Sequence, residues 1–135
     1  MGDRGNIVIR QRKNTNADDI WFYSHNGGEG LPLVLQQAIQ RQVRWNDETY
    51  LARIIFCAMI CESDDLKGEI GYGISCRITD NEHSILVVDV PSQCVHIISE
   101  DICTNGRVPA NLNARLVIAT YTFKEYIELT ELPAI

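Results

Sequence analysis

Arg53 stands alone in the stretch Arg44-Trp45-Asn46-Asp47-Glu48-Thr49-Tyr50-Leu51-Ala52-Arg53-Ile54-Ile55-Phe56-Cys57-Ala58-Met59-Ile60, which reads as a helix apolar almost all round. A guanidinium keeps its charge inside a protein, so a central helix would oblige Arg53 to meet a carboxylate, backbone carbonyls or an anionic ligand. Asp3, Asp47 and Asp80 are candidate acceptors for an internal pair; without one, the charge is available to a ligand. Arg44 precedes the helix and reads as a surface residue. Asp3-Arg4-Gly5-Asn6 comes directly before an apolar strand, which puts Arg4 and Asn6 near a sheet end. There they form either a solvated start with a local ion pair or part of a site shared with Arg53.

Glycines and an aromatic supply the next candidates. Asn26-Gly27-Gly28-Glu29-Gly30 lies between a strand and a helix, where Gly27 and Gly28 could let a ligand approach the backbone and the helix N-terminus could attract an anion. The dinucleotide fingerprint and the Walker loop are both absent, and a plain strand-to-helix turn explains the same residues. Gly71-Tyr72-Gly73 sets an aromatic between two residues without side chains, so a planar base could stack on Tyr72; a strand bulge is the structural alternative. Asp80-Asn81-Glu82-His83 lacks the spacing of a calcium loop and reads as a hairpin tip. Cys57 with Cys61 and Cys94 with His96 could be joined into a zinc site only by assumption, so no metal is expected. His25 and Ser24 are strand neighbours that point to opposite faces, and the carboxylates are scattered, so no catalytic residue and no cofactor is nominated.

The whole chain bounds these readings. Its 135 residues and 45% hydrophobic content suit a single globular domain, 1–135. Twelve basic against eighteen acidic residues give a net charge of −6, which disfavours a duplex nucleic-acid surface. No apolar run approaches the ~20 residues of a membrane span, and no signal region follows Met1, so a cytoplasmic protein is expected. Five cysteines, an odd number with no Cys-x-x-Cys, read as reduced core thiols.

The elements that must position the candidates follow from pattern. Ile7–Arg12 and Ile20–Tyr23 predict an N-terminal hairpin. Leu31-Pro32 opens a first helix, and Asn46 predicts the N-cap of the second, with Trp45 stapled against Tyr50. Tyr72–Ile78 and Ile85–Val90 predict a second hairpin, followed by a strand at Cys94–Ile98 and a long loop from Glu100 to Asn113. Arg115–Thr120 predicts a last strand, and Thr122-Phe123-Lys124-Glu125 a capping box opening a short helix. The order ββααβββ-loop-βα predicts an α+β fold, a mainly antiparallel sheet covered by helices.

Gly2-Asp3-Arg4-Gly5-Asn6, Ser24-His25-Asn26-Gly27-Gly28, the Arg44-Trp45-Asn46-Asp47 to Phe56 block, Gly71-Tyr72-Gly73-Ile74-Ser75 and Asp80-Asn81-Glu82 together resemble a family of small uncharacterised phage, prophage and plasmid proteins that open with Gly-Asp-Arg-x-Asn. The resemblance covers most of the chain and implies a mobile-element origin and a shared fold. No activity comes with it. His25-Asn26 stands where that family has a His-Trp pair. Residues and resemblance lead to one expectation: a non-enzymatic binding protein, a homo-oligomer, that captures a small anionic ligand, most concretely a nucleotide immune signal. Its contacts would come from Arg4, Asn6, Gly27, Gly28, Trp45, Arg53 and Tyr72. The alternative is a protein-interaction module that inhibits or adapts a host protein, and a small hydrolase stands third. Ligand capture requires those residues to converge on one concave site, whereas an interaction module allows them to scatter.

Overall fold

A computed structural model describes residues 2–61 and 70–135. The elements are β1 (Gly5–Arg10), β2 (Ile20–Ser24), α1 (Leu31–Gln40), α2 (Glu48–Ile60), β3 (Tyr72–Ser75), β4 (Ile85–Asp89), β5 (Cys94–Ile98), β6 (Val117–Thr122) and α3 (Phe123–Ile127), with 3-10 turns at Gly28–Gly30 and Glu100–Ile102. The fold is α+β, and its six strands form one sheet in the order β3-β2-β1-β4-β5-β6. The sheet is mixed: β1 runs parallel to β4, while the other neighbours are antiparallel.

That parallel pair is the most buried part of the sheet. Every residue of β1 is buried, as are Ile85 to Val88 of β4, because both faces of the sheet are covered at its centre. On one face Ile7, Ile9, Phe22, Leu86, Val88, Val95 and Ile97 pack under the three helices. On the other, Val8, Trp21, Ile85, Val87 and Ile98 pack with Val108 under the long segment after β5. Continuous apolar runs are what a strand buried on both faces requires. The second predicted hairpin is therefore corrected: β3 pairs with β2, β4 pairs with β1, and the two are not neighbours. Asp80–His83 is accordingly no hairpin tip.

Helix α2 departs from expectation in a way that bears on function. It buries one stripe, Leu51, Ala52, Ile55 and Met59, and turns Arg53 and Cys57 to solvent. The lone arginine thus needs no buried partner, and it makes no ion pair with another described residue. Its candidate acceptors are engaged elsewhere: Asp80 with Arg4 at 3.1 Å, Asp47 with the Tyr50 N–H at 3.3 Å, and Asp3 with His83. The helix cap is Asp47, one residue later than the Asn46 expected from sequence. Trp45 packs edge-on against Phe123 and donates Nε1–H to the Ile39 carbonyl at 3.0 Å, while Tyr50 instead carries the Arg44 guanidinium 4.5 Å above its ring. The core-thiol reading is likewise overturned, since Cys57, Cys61 and Cys76 are exposed and Cys94 and Cys103 only half-buried. Apolar composition could not reveal which side of α2 faces the sheet. Among the described residues, no helix is long and apolar enough to cross a membrane.

The buried arginine is Arg10, at the end of β1. It is 3% exposed, and its Nε and Nη2 grip the two oxygens of Asp19 at 3.1 and 2.7 Å. Its Nη1 donates to the carbonyls of Pro109 and Ala110 at 2.9 and 3.1 Å. Replacing Arg10 by Met strands a buried carboxylate, so Arg10→Met is expected to lower unfolding free energy by ~3 to 5 kcal/mol in urea denaturation. The double variant Arg10→Met/Asp19→Leu should regain part of that loss, because it leaves no uncompensated charge.

Candidate functional site

Three segments that are far apart in sequence meet at the start of β1. Residues 2–5 lie between the Ser24–Gly30 turn and the 80–84 loop. The Gly28 N–H donates to the Asp3 carbonyl at 2.8 Å, and the Glu29 N–H donates to Asp3 Oδ2 at 2.8 Å. His83 Nε2 bonds the other Asp3 oxygen. The Glu82 N–H donates to the Arg4 carbonyl at 2.9 Å, and Arg4 pairs with Asp80 at 3.1 Å and with Glu82 at 4.0 Å. Asn6 is wholly buried, its Nδ2 donating to the Asp80 carbonyl at 2.6 Å and to Asn81 Oδ1 at 3.1 Å. Asn81 in turn donates to the His83 carbonyl and to Glu100. Asn6 Oδ1 has no hydrogen-bond partner among the described residues.

This knot explains the glycines. A Cβ on Gly28 would sit 2.6 Å from the His83 ring, 2.9 Å from the Asp3 carbonyl oxygen and 3.0 Å from the Arg4 carbonyl carbon. Gly5 is as crowded, since a Cβ added there would stand 2.8 Å from Gly28 Cα. The close approach expected at Gly28 is thus made by the chain's own N-terminal segment. Its donors are occupied as well: Gly27 N–H bonds Ser24 Oγ at 3.0 Å, Gly28 and Glu29 bond Asp3, Gly30 bonds the Gly27 carbonyl at 3.1 Å, and Leu31 bonds the Gly28 carbonyl. An anion would find the N–H groups from Gly27 to Leu31 already engaged.

Beside the knot lies a cleft of about 380 Å³. It is walled by Leu31, Leu33, Val34, Ala58 and Met59, with Gly27, Ser24, Gln37 and Tyr72 at its margin. Tyr72 reaches it because β3 pairs with β2 in the register Ser24↔Tyr72. The structure therefore brings together Arg4, Asn6 and Gly28 in the knot, and Gly27 and Tyr72 in the adjoining cleft. Trp45 lies at the other end of α1, where it bonds Ile39, and Arg53 faces solvent on α2.

A further array was not read from sequence. His96 bridges two strands, its Nδ1 2.9 Å from Thr120 Oγ1 and its Nε2 3.4 Å from Asp89 Oδ2. Burial opposes ionisation of Asp89, but hydrogen bonds from His96 and Ser92 outweigh it and hold the carboxyl below its usual range. The order carboxylate, imidazole, hydroxyl is that of a nucleophile relay, yet the outer contact is long and neither Thr120 nor His96 lines the cleft beside Tyr72. The array ties β4, β5 and β6 together. A period-two reading of β5 places His96 on a face, but only the register identifies its partners. The half-buried Cys103 thiol is pushed up to about 11 by burial and by Glu100, which leaves it protonated and a poor nucleophile. Among the described residues, no three His, Cys, Asp or Glu side chains are grouped as a metal site needs.

No protein-family model matches this chain, and neither a curated protein nor a solved structure matches it. Fold and site alone therefore define its class: an α+β domain with a mixed six-stranded sheet and a mostly apolar cleft beside a hydrogen-bonded polar knot.

Two outcomes test this geometry. Gly28→Ala should cost ~1 to 3 kcal/mol of stability by urea denaturation, since two of the atoms it meets are backbone. The second test is pH. The His83 and Glu29 hydrogen bonds lower the Asp3 pKa from its ordinary 3.8, and Asp89 is lowered likewise. A depressed carboxyl contributes stability above its unfolded pKa and loses it as pH falls through the folded value. Between about pH 5 and pH 2, wild-type stability should therefore fall more steeply than that of Asp3→Asn/Asp89→Asn.

Proposed function

We propose that this protein is a non-enzymatic, cytoplasmic binding protein whose ligand enters the cleft between the Ser24–Gly30 turn, α1, α2 and Tyr72. The observation carrying this reading is that Gly27 and Tyr72 share one concave surface of about 380 Å³. Each was singled out for a different chemical reason, close backbone approach and ring stacking. The volume falls in the range of small-molecule sites, and mostly apolar walls with a few polar groups are what such sites use. A flat ring against Tyr72 and Met59, with the Gln37 amide at its edge, is the fitting occupant. In the phage setting that the resemblance implies, a nucleotide signal is the specific case.

The cleft also restricts how that ligand is held. Among the described residues no lysine or arginine lines it, and the nearby Arg4 is already paired with Asp80. Recognition therefore rests on the ring, and phosphates project beyond the walls. The interaction-module reading has its own support: Leu33 on the cleft wall is 48% exposed, and Ile74, on the same strand face as Tyr72, is 61% exposed. On that reading the ring in the cleft belongs to a partner's side chain.

Calorimetric titration of free bases, nucleosides and cyclic and linear nucleotides separates these cases. At least one ring-bearing compound should bind, with Tyr72→Ala weakening it by ~1 to 3 kcal/mol and removal of phosphate costing little. Arg53→Met should change neither binding nor melting temperature. Binding that needs phosphate and is lost in Arg53→Met would restore the charge-based reading. If no compound binds, the protein-interaction reading takes precedence.

A further inference from the structure

Strand β6 ends the sheet on the side away from the cleft, with no strand beyond it among the described residues. Its sequence, Val117-Ile118-Ala119-Thr120-Tyr121-Thr122, has no charged residue and no proline, in a chain with thirty charged side chains. Ile118, Thr120 and Thr122 are exposed, Ile118 to 64%. Edge strands are normally guarded by charge, proline, a bulge or a covering segment, because their unpaired N–H and C=O groups template another strand. The one device present is a register irregularity opposite Ile97 and Ile98, at the beginning of the strand. It leaves Ala119 to Thr122 regular. The rest of the strand is rich in the β-branched and aromatic types that favour sheet pairing.

We propose that β6 is the dimer interface, pairing antiparallel with β6 of a second copy around a two-fold axis perpendicular to the sheet. That axis keeps the two helix layers on one side, so Ala119 and Tyr121, which pack against the helix-side core, stay with their counterparts. Charge selects the same partner and direction. Arg115 precedes the strand, and Lys124, Glu125 and Glu128, with a net negative charge, follow it. Antiparallel pairing sets the basic start of one strand beside the acidic end of the other, whereas parallel pairing would set Arg115 against Arg115. The acidic surfaces elsewhere repel a second copy, and this uncharged edge does not. A closed two-fold pairing of β6 also gives a finite dimer, where β6 against the β3 edge would give an open filament.

Sedimentation velocity across the micromolar range tests the interface with wild type, Ile118→Lys and Ile74→Lys. The expected result is a dimer for wild type and Ile74→Lys and a monomer for Ile118→Lys, each with unchanged circular dichroism. A monomeric wild type, a dimeric Ile118→Lys, a monomeric Ile74→Lys or a growing polymer would each overturn the proposal. Should Ile118→Lys fail to fold, hydrogen exchange of wild type at low and high concentration decides. Amides of 117–122 must gain protection with concentration, and their failure to do so rejects the β6 interface.

Discussion

A guanidinium buried to within 3% of its surface at the end of the central strand sets the terms for this fold. Arg10 cannot shed its charge, so every polar atom around it must be placed to meet it. Asp19 does so from the position just before β2, and Pro109 and Ala110 do so from the long segment that covers the second face of the sheet. One side chain therefore joins the first hairpin to residues a hundred positions away. Asn16 adds to the same junction by donating to the Val108 carbonyl at 2.9 Å. With that segment fixed, Val108 closes over Val8, Trp21 and Val87, and the sheet acquires a core on both faces.

At the opposite end of β1 the same constraint operates with weaker partners. Asp3, Arg4 and Asn6 direct their polar groups to the glycine turn and to the 80–84 loop. The consequence for function is that the Arg4 charge and the N–H groups from Gly27 to Gly30 are already used within the chain. What remains open is shape: an apolar cleft with Tyr72 at its margin, roofed by one stripe of α2 and the exposed face of α1. A surface of this kind discriminates rings and apolar side chains better than it discriminates charge.

Much of the architecture was legible in local pattern. The α+β class, the helices at 31–40 and 48–60, and the Thr122–Glu125 capping box rest on spacing, caps and turn residues, which are properties of neighbouring positions. The turn and loop motifs that drew attention, Asp3 to Asn6, Gly27-Gly28 and Asp80 to His83, do meet in space. Their individual chemistry was visible, but their mutual satisfaction was not, because hydrogen bonds between positions up to eighty apart leave no periodic trace.

Sequence by itself determined the type of most segments, strand or helix, and the α+β class. Tertiary structure decided which arginine is buried. Arg53 sits among more apolar neighbours than Arg10 does, yet α2 has only one side against the sheet and can turn its charge to water. Arg10 has no such freedom, because β1 is covered on both faces and its side chain must end in protein whichever way it points. Pairing order was decided there too: the doubly covered strands β1 and β4 lie side by side and parallel at the centre, and β3 is separated from β4.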